Sequence, residues 1–140
     1  MSRFPNAGHL VSWAGLCPRS DESAGKHRST KIRKGNAWIK TTLIQCAWAA
    51  IRSPGYLKSK YHRICSRAGK MKAIVAVAHA MLVAIYHMLS NKQDYRDLGA
   101  DFFQKRDRER IVASMKRRLE NMGFEVELKP FPEAEPATGA

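Results

Sequence analysis

Three serines and a dense group of cations stand close together near the N-terminal end of the sequence. The stretch CPRSDESAGKHRSTKIRKGN, residues 17–36, places Ser20, Ser23 and Ser29 beside a basic run that follows Gly25. A loop hydroxyl can attack a phosphodiester when cations stabilise the developing charge and a base accepts the proton. The pattern therefore allows nucleophilic chemistry on a phosphate. It also fits an ordinary solvated loop, and the residue types alone do not choose among the three serines.

The cations of this stretch lie directly before a predicted helix N-terminus. Free backbone N–H groups and the positive end of the helix dipole favour a phosphate there. The residues that we predict to bind nucleic acid are Lys26, Arg28, Lys31, Arg33, Lys34, Asn36 and Lys40. A solvated charge run is the alternative interpretation. No general base is evident, although Asp21, Glu22 and His27 are close in sequence.

The net charge of +13 is concentrated in the first half of the chain. Fourteen lysines and arginines stand between positions 19 and 72 against Asp21 and Glu22 alone, while the residues from position 91 onward are balanced, ten against ten. A one-sided basic field of this kind attracts a polyanion, most often nucleic acid, through phosphate contacts and counterion release. A basic surface that serves only solubility is the alternative.

The remaining composition excludes several classes of protein. Three cysteines without paired spacing predict neither a disulfide framework nor a zinc site, and the five histidines form no metal-binding motif, so we expect no metal held by this chain. The N-terminus has no apolar segment typical of a signal peptide. We therefore expect a cytoplasmic protein.

Apolar periodicity predicts an all-α fold of four or five helices with a short extended arm at 124–128 and a disordered tail at 129–140. The predicted helices are 6–14, 36–53, 56–68, 73–90 and 109–121. The uncharged run at 73–89 is at the short limit for a membrane span, but its alanines favour a buried helix on which the second and third helices pack. Core positions expected from the pattern are Trp13, Trp38 and Trp48, with Ile111, Val112, Met115 and Leu119 on the last helix.

Three segments together carry a resemblance to a known family. FPNAGHLVSWAGLCPRSDESAGKHRSTKIRKGNAWIKTTLIQCAWAA, AIVAVAHAMLVAIYHML and YRDLGADFF, between Phe4 and about Leu128, resemble the C-terminal domain of a bacterial insertion-sequence transposase family, the one numbered one-ten. Its members pair an N-terminal RuvC-like DEDD domain with a C-terminal serine domain and are known as bridge-RNA-guided recombinases. The resemblance implies one transposase domain at 1–128, followed by the tail.

The resemblance also implies roles for particular residues. The family's nucleophilic serine, which becomes joined to DNA, matches Ser23 in GLCPRSDESAG. The family often has Ser-Gly here, whereas this chain has Ser23-Ala24-Gly25, which leaves Ser20 as the alternative register. The segment KIRKGN and the helix after it resemble the part that binds DNA and guide RNA.

The family's metal-binding acids lie in the RuvC-like domain, which the resemblance implies is missing here. We therefore expect a truncated transposase, with Met1 an internal methionine used as a start, no cofactor in this chain, and Mg²⁺ in the missing domain. Expected partners are DNA, bridge RNA and either a RuvC-like domain in trans or a homo-oligomer of the full-length family, with no membrane. The alternatives are a non-catalytic nucleic-acid-binding remnant and a product without selected activity.

Overall fold

The computed structural model describes residues 3–18, 21–29 and 31–129, and for Asp21, His27 and Arg28 it describes the backbone only. The alternative nucleophile Ser20 lies outside the described residues, as does the predicted disordered tail except for Lys129. The chain divides into two compact units, 1–105 and 106–140. The prediction of one domain over 1–128 remains a prediction.

The described residues confirm the all-α fold. The helices are α1 (Ala7–Trp13), α2 (Ala37–Ala50), α3 (Tyr56–Ala68), α4 (Lys70–Asn91), α5 (Phe102–Arg106) and α6 (Arg108–Asn121). Asn6 and Asn36 begin α1 and α2 as N-caps, because their side-chain oxygens accept hydrogen bonds from the backbone N–H of His9 and Ile39, each at 3.1 Å. Helix α4 starts three residues earlier than its apolar run because Gly69 ends α3 and Lys70–Lys72 continue the new helix.

Helix α4 is the centre of the first unit. Helices α1, α2 and α3 all pack on it, which confirms the expected arrangement and adds α1 to it. The buried residues of α4 are Ala73, Ile74, Val77, Ala78 and Leu82. Within the described part of the chain, α4 is the one helix long and apolar enough to cross a membrane, and about a third of its most apolar window is buried. Its contacts with three helices show that it is used here as a core helix.

The tryptophans are not core residues, contrary to the prediction. Trp38 is 86% exposed, Trp13 49% and Trp48 39%. The core is instead built from smaller side chains, among which Val11, Leu16 and Ile74 are almost fully buried. Trp13 and Trp48 instead pack their rings against Phe4 and Tyr61, with ring centroids 5.6 and 6.1 Å apart.

The second unit contains α6 and residues 122–129, which have no regular secondary structure, as expected for the arm. The prediction that the apolar stripe of α6 faces inward is wrong, because all four of its residues are exposed: Ile111, Val112, Met115 and Leu119. The spacing correctly predicted an amphipathic helix. Periodicity cannot say whether a partner covers its apolar face.

Candidate nucleic-acid interface

The stretch expected to be a loop contains a β-hairpin. Strand β1 (Asp21–Ser23) pairs antiparallel with β2 (Lys26–Ser29), and Ser23 is opposite Lys26. Ala24 and Gly25 form the two-residue turn with φ angles of +52° and +73°. Positive φ at both central residues is typical of a type I′ turn, whose twist suits a hairpin. The turn was missed in the sequence because Ala-Gly lacks the usual Asn-Gly or Asp-Gly signal.

The base of the hairpin is fixed to the helical body by close backbone contacts. Pro18 and Ile32 form an isolated antiparallel bridge, and the Asn36 N–H donates to the Trp13 carbonyl at 3.2 Å. Gly15 and Gly35 lie against each other at the crossing. A Cβ atom on Gly35 would stand 2.5 Å from the carbonyl carbon of Ala14 and closer still to the Gly15 nitrogen. Only glycine at position 35 therefore allows the two chain segments to meet.

Ser23 lies next to the turn at the far end of this hairpin. Its side chain is exposed and makes no hydrogen bond with any described group. Residues directly opposite each other on paired strands project to the same face, so the Lys26 ammonium is on the face of the Ser23 hydroxyl. None of the described carboxylates or imidazoles contacts that hydroxyl, and the general base that sequence reasoning did not find is not found here either.

Ser29 differs from Ser23 in its surroundings. It is half-buried, and its hydroxyl oxygen accepts a hydrogen bond from the Lys31 N–H at 3.2 Å. A serine that bonds to a backbone group two residues on stabilises a turn. Ser29 therefore has a structural explanation that Ser23 lacks.

The predicted phosphate-binding residues fall into two groups. The side chains of Lys26, Lys31, Arg33 and Lys34 are exposed along the return strand and the segment after it. Asn36 and Lys40 belong to the beginning of α2, where the Asn36 oxygen is already occupied by the Ile39 N–H. For Arg28 only the backbone is described. The described cations thus follow one another from the hairpin turn to the α2 N-terminus.

A cleft that sequence reasoning missed lies between the hairpin base and helices α3 and α4. Its volume is about 700 Å³, and it is lined by apolar side chains, Leu16, Ile32 and Val75 among them, together with Lys31, Lys60 and Lys72. His79 also lines it, and burial and the charge of Lys60 lower the pKa of His79 below its usual value. The lysines come from three elements separated by up to forty-one positions in the sequence, so no local pattern could have brought them together.

The motif YRDLGADFF has a structural explanation in the first unit. The Asp97 carboxylate accepts hydrogen bonds from the Tyr56 N–H at 3.1 Å and the Gly99 N–H at 2.6 Å, and from the Tyr95 hydroxyl at 3.1 Å. Asp97 therefore caps α3 from forty-one residues away. Partial desolvation raises the pKa of Asp97, but these hydrogen bonds outweigh it and the net pKa lies below the ordinary value.

The same motif also packs on α3 through its aromatic residues. Tyr56 stacks on Phe103 and meets Phe102 edge-on, each with ring centroids 5.3 Å apart. The Ser59 hydroxyl donates to the Ala100 carbonyl at 2.8 Å. The motif therefore holds the chain after α4 against the beginning of α3. As for metals, no group of three or more His, Cys, Asp or Glu residues could hold one within the described ranges.

Comparison with known proteins finds similarity to transposases, in agreement with the sequence motifs. Residues 1–63 match the family model described as "Transposase IS116/IS110/IS902 family". Two similar proteins of Sinorhizobium fredii (strain NBRC 101917 / NGR234) are "Putative transposase y4qE", 30% identical over 89 residues, and "Putative transposase y4rJ", 32% identical over 90 residues. No solved structure matches.

These matches are partial. They cover 63% and 59% of this chain, and in each case 23% of the relative. The chain therefore spans about a quarter of the length of the curated relatives that it matches. The family model ends at residue 63, short of the range 4–128 over which the resemblance was expected. It includes α1, the hairpin, α2 and the beginning of α3.

Proposed function

We propose that this chain, whose residues 1–63 match the IS116/IS110/IS902 transposase family model, is a transposase domain that binds DNA and guide RNA and supplies Ser23 as the nucleophile of strand exchange. The observation that carries the proposal is the hairpin. An exposed hydroxyl stands beside a tight turn, opposite Lys26, on a scaffold whose base is fixed by backbone contacts. A nucleophile on a rigid support can be presented to a DNA phosphate without a large ordering cost.

The chemical step follows from the residues at the hairpin. The Ser23 Oγ forms a bond to phosphorus while the bond from phosphorus to the leaving deoxyribose oxygen breaks. The serine proton passes to a base, and the leaving oxygen takes up a proton from solvent. Lys26 stabilises the charge that develops on the phosphate oxygens. The other cations, with Lys31, Arg33 and Lys34 foremost, hold phosphates farther along the bound nucleic acid.

The base and the metal belong outside the described residues in this proposal. The resemblance assigns Mg²⁺ to a RuvC-like domain, and the described part of this chain has no carboxylate cluster that would hold it. We therefore propose that the chain acts with a RuvC-like domain supplied in trans or within an oligomer, in the cytoplasm and away from membranes. By itself it should bind nucleic acid and should not cut it.

The experiment that tests the proposal is covalent trapping. The full chain is mixed with a separately expressed RuvC-like domain, bridge RNA, donor DNA and target DNA, and a covalent protein–DNA band is sought. The band should vanish with Ser23→Ala and persist with Ser29→Ala, a matched control in the same hairpin whose serine is bonded to the backbone. A band that persists with Ser23→Ala contradicts the assignment.

A second candidate function is a non-catalytic nucleic-acid-binding module. The observation that favours it is that the Ser23 hydroxyl has no general base among the described residues. Salt-sensitive DNA binding without a covalent band would support this alternative. Neutralising six to ten phosphates predicts an affinity loss of about 10³ to 10⁵ between 50 and 200 mM salt.

A further inference from the structure

We propose that the cleft between the hairpin base and helices α3 and α4 binds an unpaired nucleotide, with the base on its apolar floor and the adjoining phosphates on Lys31, Lys60 and Lys72. The inference rests on the proposed function, since it takes the polyanion that the basic half attracts to be nucleic acid. It adds a site and a mode of binding: a single strand, held at a place separate from Ser23.

The size and the apolar lining of the cleft favour a base. Its volume of about 700 Å³ lies within the range of about 300–1,000 Å³ that is usual for small-ligand pockets. Its floor contains Leu16, Ile32 and Val75, which come from the hairpin base and α4. Phosphate contacts alone would leave this apolar surface in water, whereas the flat face of an unstacked base would cover it.

The charge of the cleft favours a strand. Three lysines from three different elements line the cleft, and none of them forms an ion pair with a described acidic side chain. The Lys60 ammonium is held in place by the Tyr56 hydroxyl, to which it donates at 3.3 Å. Sites for single strands combine a positively charged groove with surfaces that accept bases. A paired base cannot reach such a floor, because it is stacked inside the duplex.

The cleft and Ser23 are at opposite ends of the hairpin. Ser23 adjoins the turn, whereas Pro18 and Ile32, which line the cleft, form the bridge at the hairpin base. The phosphates bound at the cleft are therefore not the one that Ser23 would attack. The cleft holds a strand while the tip of the hairpin approaches another part of the nucleic acid.

The test compares two double variants of the full chain that remove the same charge from the same helices. Lys60→Gln with Lys72→Gln removes two cleft lysines, and Lys58→Gln with Lys70→Gln removes two lysines that do not line the cleft. The probe is a labelled 12-nucleotide single strand, as DNA and as RNA, with the same sequence as a duplex for comparison. Binding is followed by fluorescence anisotropy over a range of salt concentrations.

We expect the cleft variant to bind the single strand about tenfold more weakly or worse, and its salt slope to fall by about 1.4, because each phosphate contact on a single strand contributes about 0.7. The control variant should lose less than about threefold. An oligonucleotide with abasic positions should bind the wild-type chain about fivefold more weakly, since it offers no base to the floor. Thermal unfolding of each variant shows whether a loss of binding comes from loss of the fold.

The proposal is overturned by an equal loss in both double variants, by an abasic strand that binds as well as the intact one, or by duplex binding that depends on Lys60 and Lys72 as strongly as single-strand binding. Binding to phosphatidylserine vesicles, with no binding to either oligonucleotide, would identify a lipid surface instead and would also overturn the assumption of nucleic-acid binding. If duplex binding persists and the covalent band still depends on Ser23, the proposed function survives the failure of the cleft.

Discussion

Two segments that connect helices of the first unit, the hairpin region 15–35 and the segment 92–101, both reach the N-terminus of a helix but are held there differently. The hairpin region is fixed through its backbone: Gly15 meets Gly35, and the Asn36 N–H reaches the Trp13 carbonyl. The segment 92–101 is fixed through side chains, chiefly the Asp97 carboxylate on the α3 N-terminus. Backbone attachment leaves side chains available for a ligand, whereas side-chain attachment uses them.

The difference agrees with the distribution of charge. Cations outnumber acids in the hairpin region, and its Lys26, Arg33 and Lys34 side chains are exposed. In the other segment the exposed residues are of both signs, and its one shifted carboxylate is committed to a cap. The first segment therefore leaves its charged side chains exposed, whereas the second uses side chains to hold the fold.

The largest loss of unfolding free energy should come from a substitution in the helical core of the first unit, to which both segments are attached. Ile74 in α4 is fully buried, and we expect Ile74→Ala to lower the free energy of unfolding by about 2–5 kcal/mol, because it removes apolar contacts and leaves a cavity. Trp38→Ala is the control: its indole is 86% exposed, and the change should stay within about 0.5 kcal/mol. Urea unfolding measures both. A larger loss at Trp38 than at Ile74 would restore the tryptophan core predicted from sequence.

Substitutions that disturb the backbone attachment of the hairpin should lower the free energy of unfolding by a smaller amount. Gly35→Ala places a Cβ atom against the backbone of Ala14 and Gly15, and we expect a loss of about 1–3 kcal/mol from the forced shift. Gly25→Ala, at the turn, meets no atom within 4 Å but has a φ of +73°; its cost should be about 1–2 kcal/mol from the left-handed conformation alone. Urea unfolding with far-ultraviolet dichroism compares them. A cost at Gly25 that clearly exceeds the cost at Gly35 would show that the crossing is not what fixes the hairpin.

Features set by residues close together in sequence could be predicted, whereas features that depend on residues far apart in sequence could not. Asn6 and Asn36 cap helices within three residues, and the sequence indicated both. The hairpin turn is local but uses Ala-Gly, so its signal was weak. Asp97 caps α3 from forty-one residues away, and the cleft lysines come together only when the helices pack. No local sequence pattern indicates either arrangement. For the candidate site, the residue types indicated three serines and the cations, and the family resemblance selected Ser23; neither indicated the surface between the hairpin base and α4.

The smallest losses of unfolding free energy should come from the two helix caps, Asp97 and Asn36, and the two losses should differ in their dependence on pH. At pH 7 we expect Asp97→Ala and Asn36→Ala each to lower the free energy of unfolding by about 1 kcal/mol, with Asp97 toward the lower end because its carboxylate is largely exposed. Hydrogen bonds lower the folded-state pKa of Asp97. Its contribution is therefore fully present above the unfolded pKa of about 3.9 and is lost as pH falls through the lower folded value. The penalty of Asp97→Ala relative to wild type should shrink below about pH 4, while that of Asn36→Ala, whose amide does not titrate, should stay constant.

Urea unfolding of the three proteins between pH 3 and 7 measures this. Parallel curves for the two variants would mean that the Asp97 charge contributes nothing to the cap, and that the segment 92–101 is held by its aromatic residues and the Ser59 hydroxyl instead.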